Sequence, residues 1–350
     1  FENYEINDQI KQYLEFMFMD DQNLAQIAPS GNFGNTLSIN CDNPLLSAQQ
    51  LATICTNNGG YNLVSGFLGT FPLVVGQTGT PALNFIDPTT GASYQRAFFQ
   101  LLRRNVEGGP RVADLQHTSF RGVLGTKGDL NKAWSYDAYF QFGRTNYQQT
   151  YRNEFSVARL TRALDVVDDP RVAGVQPICR SVLDGTDPNC VPYDVFSGAP
   201  ISAAAINYLS AVGFQRGQTN QQVGNVNFTG LLGEYGVKTP WAEDGLAVNI
   251  GAEYRKDSLK LDTDQAFRTG DLTGQGAPTL PVSGNYRVLE WFAEAQLPLV
   301  QNSFVEDLSL NAGYRKSYYK LSNGRKFDTD TYKLGLEFAP IKDVRLRGAY

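Results

Sequence analysis

The chain has 350 residues, with 30 basic and 35 acidic side chains and a formal net charge of −5. This balance argues against nucleic acid as a partner, because phosphate binding needs a concentrated positive surface. No run approaches the roughly 20 consecutive apolar residues of a membrane-spanning helix, which excludes a helical membrane protein but not a barrel of half-apolar strands.

The first predicted strand is Phe1–Ile6, and the first two long connections after it hold the four cysteines. Three pairings are possible, of which Cys41–Cys55 and Cys179–Cys190 would close short local loops. Loop disulfides indicate an oxidising compartment, and unpaired buried thiols are the alternative. Neither pair has the spacing of a zinc site, and His117 is the single histidine, so no metal is predicted.

The strongest signal is the alternation of apolar and polar side chains that begins at Trp134. One face carries Trp134, Tyr136, Ala138, Phe140 and Phe142. Similar rows follow at 246–254, 289–297, 308–314, 332–338 and 344–350. Rows of about nine residues suit a tilted strand that crosses hydrocarbon, whereas soluble strands average five or six. We therefore predict an all-β fold, an antiparallel transmembrane β-barrel, with about nine or ten strands in this chain.

Connection lengths support the same fold. Short turns are predicted at Asn7–Gln9, Lys127–Lys132, Thr239–Gly245, Leu299–Glu306 and Pro340–Asp343. They alternate with long loops at about 23–115, 146–221 and 261–284 and a shorter one at 321–327, as in outer-membrane barrels with long extracellular loops. Short helices are expected at Val157–Val167 and Ile201–Val212.

The polar side chains that alternate with the apolar rows predict a lumen lining that contacts a ligand or a plug. The candidates are Arg121, Asp137, Gln141, Glu253, Arg255, Glu290, Glu294 and Arg315. Glu290 and Glu294 suggest the paired acids of a glycosidase, but four residues along a strand separate them by well over 10 Å. No catalytic motif or cofactor fingerprint is present, so we expect neither an enzyme nor a bound cofactor.

Aromatic side chains in the long loops are further candidates. They could stack on a sugar or an iron chelate, or simply hold the loops together. These residues are Tyr61, Tyr94, Tyr147, Tyr151 and Phe267.

Several stretches resemble the TonB-dependent outer-membrane receptors, particularly a branch found in sphingomonad-like bacteria. They are Arg103–Arg111, Ala163–Asp169, Ile178–Leu183, Gly233–Gly236, Gly251–Arg255 and Gly270–Gly276. The resemblance implies a barrel of 22 strands closed by a plug domain. The plug and the segment that binds TonB should precede Phe1, and further barrel strands should follow Tyr350. Residues 1–350 are therefore expected to be one partial barrel domain.

The resemblance also implies a function. The protein should lie in the outer membrane and import a ferric siderophore, a vitamin or an oligosaccharide with energy from the TonB–ExbB–ExbD complex. Its other partners would be outer-membrane lipid and its own plug. Two alternatives stay open: a passive porin-type channel, and a secreted soluble all-β protein that binds or processes carbohydrate and buries its apolar rows in a core.

Overall fold

The computed structural model describes residues 2–33, 36–56, 61–66, 69–74, 83–87 and 89–350, with side chains except at 36, 56–84 and 98–100. Its main feature is one antiparallel sheet of ten strands, each paired with its neighbour in the chain. The strands are β1 Glu2–Asn7, β2 Ile10–Pro29, β3 Pro110–Asp129, β4 Trp134–Phe155, β5 Ser210–Leu231, β6 Ala247–Thr263, β7 Val282–Gln301, β8 Asp307–Leu321, β9 Lys326–Ile341 and β10 Val344–Ala349. The predicted all-β architecture and strand number are confirmed.

Three long connections alternate with shorter ones along the chain, but the predicted alternation is not strict, because 232–246 has 15 residues and 322–325 has only four. Residues 8–9, 130–133, 232–246, 302–306 and 342–343 connect strands at one end of the sheet; 30–109, 156–209, 264–281 and 322–325 connect them at the other. The predicted loops 23–115, 146–221 and 261–284 were too long, because strands such as β4 continue for 22 residues. Beyond the apolar rows both faces of the strands are polar. The alternation of apolar and polar side chains therefore ends there, although the hydrogen bonds between the strand backbones continue.

The two faces of the sheet have opposite character. On one face, which we call the outward face, the apolar rows are exposed: Phe140 is 54%, Trp291 56% and Leu334 59% accessible. No second layer of the described chain covers them. The soluble alternative, which requires Phe140, Leu289 and Trp291 in a core, is therefore wrong for this structure. An apolar surface of this extent is stable against lipid.

The three long connections 30–109, 156–209 and 264–281 pack together into a unit that we call the cap. Its helices are α1 Ala48–Leu51, α2 Val157–Leu164, α3 Arg180–Leu183, α4 Ala203–Leu209 and α5 Gln265–Thr269, with short π or 3-10 turns at Ala52–Thr56, Val106–Gly108 and Thr273–Gln275; a further 3-10 turn, Leu232–Tyr235, lies at the opposite end. Its short strands are Gly31–Asn32, Thr36–Asn40, Tyr61–Gly66, Gly69–Val74, Leu83–Ile86, Ser93–Gln100, Arg103–Arg104, Val166–Asp168 and Pro177–Cys179.

Local sequence explains the two predicted helices of the cap, α2 and α4, which are confirmed. Ser156 and Ser202 are their N-caps, and each side chain accepts a hydrogen bond from a backbone N–H of the first turn. Their buried faces, including Leu160 and Leu209, form a hydrophobic core together with Phe155. No helix in the described ranges is long and apolar enough to cross a membrane.

A substitution at Ala293 tests whether the outward face contacts lipid. It lies mid-row on β7, opposite Ile250 and Tyr314. Ala293→Arg should destabilise the full-length protein in lipid vesicles by about 2–4 kcal/mol, because a cation near the bilayer midplane loses its hydration. Ser283→Arg, on the same face of the same strand but beyond the apolar row, should cost less than about 1 kcal/mol. Urea unfolding measures both; equal losses would contradict the assignment.

Candidate functional site

A chain of hydrogen bonds crosses four strands on the inward face. The Nε group of Arg121 on β3 donates to Oε1 of Gln141 at 2.8 Å. The Nε2 group of Gln141 on β4 donates to Oε1 of Gln221 at 2.8 Å. Gln221 on β5 in turn donates to Oδ1 of Asp257 on β6 at 3.0 Å. Side chains that bond in this way hold one another in fixed orientations, so the inward face presents a preorganised polar band.

Charged groups terminate this band on both sides. Nη2 of Arg121 lies 3.8 Å from a carboxylate oxygen of Glu15, and Nε of Arg255 lies 3.5 Å from Oδ2 of Asp257. The predicted Arg121, Gln141 and Arg255 are thus brought together, whereas Gln221 and Asp257 were missed. The available signal was the alternation along β5, where the inward positions are Gln221, Val223, Asn225, Asn227 and Thr229. The outward positions between them include two glycines and a glutamine, so the contrast in polarity between the two faces was weak.

Two more predicted residues lie in a second group of bonds on the same face. The Tyr13 hydroxyl donates to Oδ1 of Asp137 at 2.7 Å. Asn225 donates to Oε2 of Glu253 at 3.1 Å, and Asn227 donates to Asn225 at 3.1 Å. These amides both donate and accept, which suits a surface that must hydrogen-bond a polar ligand or a plug.

Glu290 and Arg315 form a closed pair. Arg315 donates to Glu290 at 3.1 Å and Ser317 donates at 2.6 Å, and the Glu290 side chain is only 4% exposed. Glu253 lies directly opposite Glu290 on the neighbouring strand, so Arg315 also offsets a repulsion between like charges. Glu294, by contrast, is exposed and forms no hydrogen bond or ion pair within the described part of the chain. With Glu290 held by two donors, the pair is not arranged as glycosidase acids.

The family described as TonB dependent receptor-like, beta-barrel matches residues 56–350. The chain belongs to this family. A comparison with curated proteins gives no match, and a comparison with solved structures gives none either. Receptors of this family lie in the bacterial outer membrane, and barrels of that membrane have short turns on the periplasmic side and longer loops on the outside.

The cap is organised around Arg180. Its side chain is 7% exposed and pairs with Asp42 at 3.1 Å, with Asp165 at 3.3 Å and, closely, with Asp87. The guanidinium also lies 3.9 Å from the ring centre of Tyr94. Asp165 is shared with Arg96 at 2.6 Å. These contacts join the first long connection to the second, so the cap is not a set of independent loops.

A second buried charge, Glu154 at the end of β4, joins the cap to the barrel. It is completely buried; Ser30 donates to it at 2.7 Å and the backbone N–H of Gly274 at 3.1 Å. Arg111 lies 3.5 Å away. A Cβ at Gly274 would lie 2.1 Å from the Arg111 side chain and 2.5 Å from Glu154, so a larger residue would have to displace the charged ends of both side chains. The stretches Arg103–Arg111 and Gly270–Gly276, which carry the family resemblance, thus contribute to this junction.

Two disulfides, Cys41–Cys55 and Cys179–Cys190, close segments of the cap. The loop aromatics are mostly engaged within the structure: Tyr147 packs on His117, and Tyr151 packs edge-on against Phe267. His117 itself lies 3.4 Å from a carboxylate oxygen of Asp21. The Tyr61 side chain lies outside the described residues. Covalent and ionic contacts therefore hold the cap together, and the Tyr151–Phe267 contact joins it to β4.

Proposed function

We propose that this barrel imports a scarce nutrient across the outer membrane, with energy delivered through TonB. The ligand would be a ferric siderophore, a vitamin or an oligosaccharide, first met by the cap and then by the lumen band. The observation that supports this proposal most is the preorganised polar band from Arg121 to Asp257 on the lumen face of a barrel of this family.

The lumen residues divide into three groups in this proposal. Arg121, Gln141, Asp137 and Glu253 are hydrogen-bonded to neighbouring strands and form the wall that a plug or ligand contacts. Glu294 keeps its hydrogen-bonding capacity for a partner, since an exposed carboxylate can accept several donors. Arg315 and Glu290 satisfy each other and contribute mainly to the shape of the wall.

Uptake in the native host tests the proposal. Cells that lack the gene and cells complemented with it should be given radioiron-loaded desferrioxamine, cyanocobalamin and labelled maltohexaose separately. The complemented cells should accumulate at least one probe, or a growth-supporting member of the same classes, by tenfold or more over the deletion strain. Accumulation should fall to the deletion level when TonB is removed or a protonophore is added.

The dependence of uptake on TonB distinguishes active import from a passive channel. A passive porin-type channel requires no energy, so uptake that survives loss of TonB would contradict active import. A strain that carries Lys132→Gln in a periplasmic turn controls for expression, since the polar and cation–π contacts of Lys132 within the described residues are limited to the backbone carbonyl of Glu234 and the ring of Tyr235.

A further inference from the structure

Four cations on the outward face lie side by side in direct register across four strands. Lys256 on β6 is opposite Arg287 on β7, Arg287 is opposite Lys320 on β8, and Lys320 is opposite Lys326 on β9. We call them the cationic row. Directly opposed residues of an antiparallel sheet share a face, with Cβ atoms about 5 Å apart. All four side chains are exposed.

None of the four has an anionic partner within the described chain. The nearest carboxylates on this face, Asp328 and Asp330, are both held by Lys316, the latter at 2.7 Å. The next row toward the cap is neutral, with Ser258 opposite Asn285. Like charges that face each other across strands destabilise a sheet, and 5 Å is within the roughly 8 Å over which physiological salt screens them. An anion from outside the chain would reduce this repulsion.

The position of the row indicates which anion. One step toward the periplasm along β6, β7 and β8, Tyr254, Leu289 and Tyr318 form an exposed row on the outward face, and Asp328 occupies the corresponding position on β9. These apolar and aromatic side chains mark the boundary of the lipid, so the cations lie on its extracellular side. Lysine and arginine at such a boundary place their charge among lipid headgroups while their stems cover apolar surface.

We propose that the cationic row binds phosphorylated headgroups of outer-leaflet lipids. Phosphate oxygens accept charge-assisted hydrogen bonds from both ammonium and guanidinium groups, and one multiply phosphorylated glycolipid spans several strands. The lipid would fix the depth and tilt of the barrel and relieve the repulsion along the row. This inference depends on the barrel lying in a bilayer and is independent of the proposed transport.

Native mass spectrometry of the full-length receptor tests the proposal, with bis-phosphorylated lipid A and its dephosphorylated form as probes. The wild-type receptor should retain the phosphorylated form selectively. The variant Lys256→Gln/Arg287→Gln/Lys320→Gln should bind it on the order of 100-fold more weakly, since each cation near an anionic surface contributes about fivefold. The control Lys132→Gln/Lys238→Gln/Lys342→Gln removes the same charge from the periplasmic turns and should bind like wild type.

Several outcomes would overturn the proposal: equal retention of both lipids by the wild type, wild-type binding by the row variant, or an equal loss of binding in the periplasmic control. Equal competition by inorganic phosphate would also overturn it, because the row would then be a site for soluble anions. The comparison of the two lipids needs no variant, so it remains decisive even if the row variant does not fold. TonB-dependent uptake is measured in a separate experiment. Failure of the lipid-binding proposal can therefore be distinguished from failure of the transport proposal.

Discussion

Replacement of Arg180 by methionine should lower the free energy of unfolding of the cap by about 3–5 kcal/mol, because it leaves buried carboxylates without their cation. Asp87 and Asp165, with side chains 10% and 19% exposed, would face each other across the vacated position. Methionine keeps an unbranched apolar stem in place of the arginine stem, so the loss would come mainly from the guanidinium group, its charge and its hydrogen bonds. Hydrogen exchange of the amides of α2 and α4 in the full-length receptor measures the effect.

Arg162→Met is the matched control for this prediction. Arg162 lies on α2 and pairs with Asp187 at 3.2 Å, but its side chain is 45% exposed. An exposed pair contributes only about 0–1 kcal/mol, so protection in the cap should change little. Equal effects of the two substitutions would show that the buried network is not what stabilises the cap.

The same network predicts a dependence on pH. Burial acts to raise the pKa of Asp87, but hydrogen bonds from the backbone N–H groups of Thr90 and Thr89, together with Arg180, outweigh it and lower the pKa below its ordinary value of 3.8. A carboxyl with a depressed pKa stabilises the fold above that ordinary value and loses this contribution as pH falls through the lower one. Cap protection should therefore fall below about pH 4 in the wild type, and less steeply in Arg180→Met.

The second large effect is expected at Glu154. Glu154→Ala should destabilise the junction between cap and barrel by about 3–5 kcal/mol, because it removes the acceptor of Ser30 and Gly274 and leaves Arg111 uncompensated. Hydrogen exchange should accelerate in segment 264–281, more than 100 residues away in the chain, because Gly274 loses its bond. The barrel below should keep its protection.

Glu107→Gln provides the control for Glu154. Its carboxylate pairs with Arg103 inside the cap, but both side chains are about a third exposed, so the expected loss is below about 1 kcal/mol. If Glu154→Ala left exchange in segment 264–281 unchanged, the junction would not depend on this carboxylate.

Much of the barrel follows from local pattern alone. The alternation from Trp134 to Phe142 requires a strand with one apolar face, and its length matches the hydrocarbon layer. Short and long connections follow from the gaps between such rows. The helices α2 and α4 were also predictable, since Ser156 and Ser202 precede residues with suitable helical spacing. Each of these features depends on neighbours in the chain.

Other features depended on residues far apart in the sequence. The extracellular ends of β4 and β5 carry polar residues on both faces, so only pairing between them, such as Asn146 with Gln218, shows that they are strands. The Arg180–Asp87 pair joins positions 93 residues apart, and the bonds of Glu154 span up to 124.

The sequence by itself therefore determined the fold class, the two-faced strands and the alternation of turns and loops, because periodicity is a local property of the chain. Only the tertiary structure decided the register that aligns Lys256 with Arg287 and Lys320, and the partners of Arg180 and Glu154. A change of one residue in register moves every side chain to the opposite face, and a buried charge is stable only where folding supplies its partner.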